Sequence, residues 1–145
     1  MQRADGHWPG DYGGPLFLLP GLVIACAVSG TPLAQAPDML RYLRSVQNAD
    51  GGWSEYEKAR AGRWVESLNA AEVFGNIMIA YSYVETTSAC VQALAAFARR
   101  HPGVRGAEIA RAIERGKRYL LAQQRLDGSF YGSWGVCFTY GTWFG

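Results

Sequence analysis

Apolar side chains recur every three or four positions in four stretches of the chain, which predicts amphipathic helices. The first covers residues 35–46, and the second covers residues 69–78, where a capping-box pattern precedes the apolar residues. The third runs from residue 87 or 88, either of which could cap it, to about residue 100, and the fourth covers about residues 106–123. The alternation of apolar and polar residues that is typical of strands is weak. The sequence therefore predicts an all-α protein with glycine-rich loops.

Two further stretches are rich in glycine and do not fit the pattern of an ordinary helix. Residues 8–21 combine prolines and glycines with apolar side chains, and residues 130–145 are dominated by aromatic residues and glycine. Glycine allows backbone and rings to approach closely, and aromatic rings form the walls of binding surfaces. We therefore expect a binding site in one or both stretches.

A short motif occurs three times, with the pattern Q-x-x-D-G-x-[WF]. Its copies are residues 2–8, 47–53 and 124–130, and the third has Phe in place of Trp. Asp-Gly favours a tight turn, with the glutamine at the end of the preceding helix and the aromatic ring just beyond the turn. We expect each copy to attach the end of one helix to its neighbour. The alternative is that these are three unrelated Asp-Gly turns. It is disfavoured because four positions of the pattern recur in register.

Composition and charge exclude several classes of protein. Of 145 residues, 13% are aromatic, 18% are charged and 18 are glycine, which is not the composition of a disordered or collagen-like chain. The net charge of +2 does not indicate nucleic acid as the partner. Basic residues concentrate in residues 99–118, where a solvated helix face is favoured over attraction to an anionic membrane surface.

The cysteines and the apolar segments narrow the choice further. Cys26, Cys90 and Cys137 are widely spaced, so neither a metal site nor a redox pair is indicated, and a reducing compartment is the default. No phosphate-binding or dinucleotide-binding motif occurs, and the first residues do not form a signal peptide. The longest apolar stretch, residues 15–28, is too short for a transmembrane helix and is interrupted by Pro20, so it is expected to be buried or to lie on a membrane surface.

Six segments of the chain carry a family resemblance, namely residues 5–8, 10–21, 47–53, 72–78, 83–89 and 132–144. They resemble oxidosqualene cyclases of the lanosterol and cycloartenol synthase type. The glutamine-tryptophan repeat is similar to the repeated QW motif of that family. The ending Cys-Phe-Thr-Tyr-Gly-Thr-Trp fits the oxidosqualene branch better than the related squalene-hopene cyclases.

The resemblance implies an α/α-barrel (toroid) fold and a monotopic protein on the cytoplasmic face of a membrane. Its reaction would be the cationic cyclisation of 2,3-oxidosqualene or a similar polyprenoid, without metal or cofactor. Residues 1–30 resemble an N-terminal cyclase segment and residues 31–145 a later barrel segment. The two segments are far apart in the family, so the chain resembles a truncated and internally deleted cyclase.

Four residues match positions of the family's pocket. Tyr12, Tyr56 and Trp134 would face the substrate and its cations, and Thr86 stands where the family usually has a cysteine that hydrogen-bonds the catalytic aspartate. A threonine hydroxyl can donate a comparable hydrogen bond. Each aromatic also has a purely structural interpretation: Tyr12 as a loop residue on proline, Tyr56 as a surface residue, Trp134 as a core residue.

The aspartate motif that supplies the family's proton donor does not occur in this sequence, so no catalytic residue is predicted. We therefore expect the chain to be inactive by itself. The alternatives are a non-catalytic helical module that binds a membrane or another chain, and a fragment of a squalene-hopene-type cyclase.

Overall fold

A computed structural model describes residues 16–32, 36–56, 58, 61–72, 75–133 and 136–145. Within these ranges the regular elements are helical, and the β pairing is an isolated antiparallel bridge between Trp53 and Tyr83. The prediction of an all-α protein is confirmed over this part of the chain. The helices are α1 (Leu18–Ser29), α2 (Ala36–Ser45), α3 (Val84–Arg100), α4 (Gly106–Gln123) and α5 (Cys137–Phe144), with a short 3-10 helix at Arg63–Leu68.

Helices α2, α3 and α4 were predicted from the apolar spacing. Helix α3 begins at Val84, a few residues before the predicted cap. Its start is fixed by the bridge to Trp53, and the Thr87 hydroxyl accepts the Trp53 backbone N–H at 2.9 Å instead of capping the helix. A long-range contact thus replaces the local capping bond that the sequence favours.

The prediction of a helix over residues 69–78 is wrong, because its described residues, 69–72 and 75–78, are not helical. Asn69 closes a turn on itself, with its side-chain oxygen accepting the Ala71 N–H at 2.9 Å. Asn76 has a φ of 54°, which no α-helix accommodates. The Glu66 carboxylate accepts the Met78 N–H at 3.0 Å, a bond to a side chain instead of to a helix carbonyl.

Residues 130–145 were expected to lack an ordinary helix, and this is also wrong, because α5 covers Cys137–Phe144. Helix α1 likewise begins inside the proline-rich stretch, with Pro20 in its first turn, where proline needs no hydrogen-bond partner for its nitrogen. Both helices pack on α3. This tertiary packing stabilises helices that their glycine, proline and aromatic content does not predict.

Helix α3 is the centre of the structure, with α1, α4 and α5 packed against it. Its buried face joins side chains of α2, α4 and the Trp53 segment in one apolar core. Gly116 of α4 is buried in this core. Glycine is needed at this position because a Cβ would lie 2.6 Å from Val91 Cγ2 and 2.9 Å from the Trp53 ring. The core consists of Leu16, Leu40, Leu43, Trp53, Cys90, Leu94, Phe97, Ile109 and Ala112.

The turn at residues 47–53 joins α2 to α4, as expected. The buried Gln47 amide donates to the carbonyls of Gly51 at 2.8 Å and Ala112 at 2.9 Å. Gly51 has a φ of 95°, which glycine adopts without strain. Trp53 is fully buried, and its indole N–H donates to the Leu43 carbonyl at 2.6 Å. The amide and the indole thus fix the end of α2 against its neighbour.

The turn at residues 124–130 has a related geometry with a different partner. The Gln124 amide donates to the Gly128 carbonyl at 3.1 Å and so remains within its own turn. Phe130 is buried, and its N–H donates to the Thr142 hydroxyl of α5 at 3.0 Å. This turn therefore positions α5 through the aromatic residue. The copy at residues 2–8 lies outside the described residues.

The division into residues 1–30 and 31–145 stays a prediction. Helix α1 belongs to the first of these segments and packs on α3 of the second. Arg100 of α3 donates to the Ala27 carbonyl at 2.7 Å, next to the end of α1. The described part of the first segment thus shares an interface with the second.

Candidate substrate cavity

A cavity of about 500 Å³ lies between the start of α3, helix α5 and the residues just before α1. Four of its seven lining residues are aromatic, and one carries a carboxyl group. The lining residues are Phe17, Tyr56, Glu85, Thr86, Ala89, Tyr140 and Phe144.

The first turn of α3 supplies one wall of this cavity. Glu85 and Thr86 line the same side of the cavity as Ala89, which lies four positions after the first and three after the second, because residues at these spacings are neighbours on a helix surface. The Tyr83 N–H donates to the Trp53 carbonyl at 3.0 Å, so this turn is tied directly to the buried tryptophan. Burial raises the pKa of the neighbouring Tyr83 phenol to about 12, with nearby carboxylates adding to the effect. The phenol therefore remains neutral at ordinary pH.

Helix α5 supplies the opposite wall, and a glycine contact fixes its distance. A Cβ on Gly141 would lie 2.7 Å from the Phe130 carbonyl oxygen and would clash with the backbone of Gly132. The Ser88 hydroxyl donates to the Phe144 carbonyl, which ties the end of α5 to α3. The rings of Tyr140 and Phe144 meet edge to face, with centroids 4.9 Å apart. The close backbone approach thus brings two rings to the cavity.

Glu85 is the charged residue in the lining, and it is only 6% exposed. Its Oε1 accepts the Ser133 N–H at 2.7 Å. A Cβ on Gly132 would lie 2.6 Å from the same oxygen, so the carboxyl group is packed closely against the Gly132–Ser133 backbone. Its position is therefore defined by both a hydrogen bond and steric contact.

The structure brings together two of the four residues that the sequence resemblance selected. Tyr56 and Thr86 line the same cavity, with Tyr56 half-buried and Thr86 buried. Tyr12 and Trp134 lie outside the described residues. The roles of all four in substrate binding stay predictions.

Sequence reasoning missed the other lining residues as individuals. Phe17, Tyr140 and Phe144 nevertheless lie in the two glycine-rich stretches that were expected to hold a site. Glu85 carried no signal of its own beyond its place next to Thr86. A buried carboxyl group in a helix is recognised only when its surroundings are known.

Other concave surfaces of the described residues have different chemistry. A cavity of about 510 Å³ between α1 and α3 is lined by small apolar side chains with Gln92, Arg99 and Arg100, and it contains no aromatic ring. Within the described ranges, no group of three or more His, Cys, Asp or Glu side chains could hold a metal ion. Cys90 is buried in the core, and burial raises the pKa of its thiol. The cavity lined by α3 and α5 is therefore the candidate site.

Over residues 34–145 the chain matches the family of the squalene-hopene cyclase C-terminal domain. Because this match covers most of the chain, the chain belongs to that family. It is 46% identical to cycloartenol synthase of Dictyostelium discoideum over 98% of this chain and 22% of the relative. It is 52% identical to lanosterol synthase of Mus musculus and 50% identical to lanosterol synthase of Gibberella zeae, over 79% and 71% of this chain.

These relatives show that the chain corresponds to a fragment of an oxidosqualene cyclase. The chain spans 16% of the mouse relative and 13% of the Gibberella relative. The internal deletion inferred from the order of the motifs stays a prediction.

Proposed function

We propose that the cavity between α3 and α5 is part of the pocket in which an oxidosqualene cyclase folds 2,3-oxidosqualene and carries its cations. The observation that supports this most is the grouping of four aromatic residues in one cavity, on a chain related to cycloartenol and lanosterol synthases. The substrate is an apolar chain, and the aromatic walls offer it a complementary surface.

The chemistry of a cationic cyclisation requires such walls. Each aromatic face attracts a nearby cation by about 0.5–2 kcal/mol, with the larger value in desolvated sites. Water must be excluded, because it would capture the cation before the rings close. Phe17, Tyr56, Tyr140 and Phe144 supply such faces in this cavity.

The first step, opening of the epoxide, needs a proton donor held neutral in a dry pocket. The resemblance assigns that donor to an aspartate motif that this sequence does not contain. Thr86 stands at the position whose side chain, in the family, hydrogen-bonds that aspartate. Its hydroxyl would donate this bond in a cyclase that contains the motif. The chain by itself is therefore expected to bind the substrate without cyclising it.

The first test measures binding of 2,3-oxidosqualene in detergent micelles by quenching of intrinsic fluorescence. Tyr140→Ala is expected to weaken binding about tenfold, because it removes a ring from the cavity wall. Tyr131→Ala is the matched control, because Tyr131 is 57% exposed and does not line the cavity. Equal loss in both variants, or no binding by the parent chain, would contradict the proposal.

Product analysis by gas chromatography tests the expected inactivity in the same samples. Unchanged 2,3-oxidosqualene is the expected result for the parent chain. A cyclic product would show that another group donates the proton.

We also propose that the chain contacts a membrane surface through α1, which would bring it close to a membrane-dissolved substrate. Phe17, Leu18, Leu22 and Val28 are exposed at 46–84% along this helix and just before it. None of the helices in the described parts of the chain is long and apolar enough to cross a membrane. The contact would therefore be made at the surface of the bilayer, as the resemblance to a monotopic family implies.

Flotation with phosphatidylcholine liposomes tests this contact. The parent chain is expected at the top of the gradient, and the double variant Leu18→Glu with Leu22→Glu at the bottom, because two charges oppose burial of the helix face. Leu121→Glu, at a position 69% exposed on α4, is the control and should float. A parent chain that stays at the bottom excludes the surface contact, and so does flotation of the double variant.

A further inference from the structure

We propose that Glu85 binds the cation in this cavity by supplying a negative charge beside the aromatic rings. The ligand class that follows is an apolar cation, such as a carbocation or an alkylammonium ion with a hydrocarbon tail. This inference rests on the proposed function, because it concerns the same cavity.

The position of Glu85 supports this role. It lies in the first turn of α3, lines the cavity together with Tyr56, Tyr140 and Phe144, and is almost entirely removed from solvent. A charge with so little exposure is weakly screened by water and salt, so it acts strongly on a ligand a few ångströms away. The same charge on the outer surface would contribute little.

The hydrogen bond from the Ser133 backbone fixes the position of the carboxyl group. The Ser133 backbone N–H donates to Oε1 at 2.7 Å and orients it without adding a charge of its own. The close approach of Gly132 leaves no room for the group to move toward that side. The carboxyl group is thus held in place before the ligand arrives, as electrostatic stabilisation of a cation requires.

Aromatic rings and a carboxylate favour the same ligand through different interactions. The ring faces attract a cation through their quadrupoles and also accept a neutral hydrocarbon. The carboxylate adds a preference for positive charge and disfavours anionic ligands. The cavity should therefore distinguish two ligands of the same shape that differ only in charge.

The experiment compares hexyltrimethylammonium with its neutral carbon isostere, 2,2-dimethyloctane, by quenching of intrinsic fluorescence with the full chain. The parent chain is expected to bind the ammonium ion about tenfold more tightly than the isostere. In Glu85→Gln, which keeps a side-chain oxygen for the Ser133 N–H, this preference should fall to within about twofold.

Two further variants control for fold and for net charge. Glu85→Asp keeps the negative charge and should retain most of the preference. Glu114→Gln removes one charge at an exposed position of α4, where the side chain is 64% exposed, and should leave the preference unchanged. Far-UV circular dichroism of each variant confirms that the helices are present.

The possible outcomes separate this inference from the proposed function. Equal binding of the two ligands by the parent chain overturns the role of Glu85 while leaving an apolar pocket. If Glu85→Gln still prefers the ammonium ion over the isostere, the role of Glu85 is likewise overturned. Failure of both ligands and of 2,3-oxidosqualene to bind overturns the pocket itself and the inference with it.

Discussion

Replacement of Trp53 by alanine is expected to lower the free energy of unfolding by about 4 kcal/mol. Trp53 is fully buried at the centre of the core, so alanine leaves a cavity that its neighbours cannot fill. The change also removes the indole donor of the Leu43 carbonyl at the end of α2. Because Trp53 connects the end of α2, the start of α3 and Gly116 of α4, we expect the loss to affect the whole helical assembly.

Urea unfolding followed by far-UV circular dichroism measures this loss. Trp64→Ala is the control, because Trp64 is 71% exposed in the 3-10 helix and should change stability by less than about 0.5 kcal/mol. Similar midpoints for the two variants would mean that Trp53 does not hold the core together.

The second large effect is expected at Gly116, where alanine should lower the free energy of unfolding by about 1–3 kcal/mol. In an ordinary helix interior the same change is stabilising by up to about 1 kcal/mol. Here the added methyl group would lie 2.6 Å from Val91 and 2.9 Å from the Trp53 ring, so α3 and α4 must separate. The close approach of the two helices reverses the usual sign.

Gly106→Ala on the same helix provides the matched control. Nothing lies within 4 Å of the added methyl group at that position, so stability should stay the same or rise slightly. If Gly116→Ala is as stable as Gly106→Ala, then α3 and α4 can separate to accommodate the methyl group without lowering the free energy of unfolding.

The sequence predicted what depends on local pattern. Helices α2 and α4 follow from apolar spacing, and the turn at residues 47–53 follows from Asp-Gly with its flanking glutamine and tryptophan. The family was recognised from motifs, and Tyr56 and Thr86 came from matching its pocket residue by residue. Local signals failed where a side chain had two partners to choose between. Asn69 closed a turn instead of capping a helix, and Thr87 bound Trp53 instead of starting α3.

By itself, the sequence determined the all-α class through its apolar periodicity, the family through its motifs, and two glycine-rich stretches through their composition. These signals lie within short segments of the chain. Only the tertiary structure decided that α5 forms, that its rings face α3, and that Glu85 lies among them. Helix α5 packs at a glycine contact with residue 132, and Glu85 is oriented by a backbone N–H 48 positions away. Such contacts depend on how distant segments pack, and no local pattern of residues specifies them.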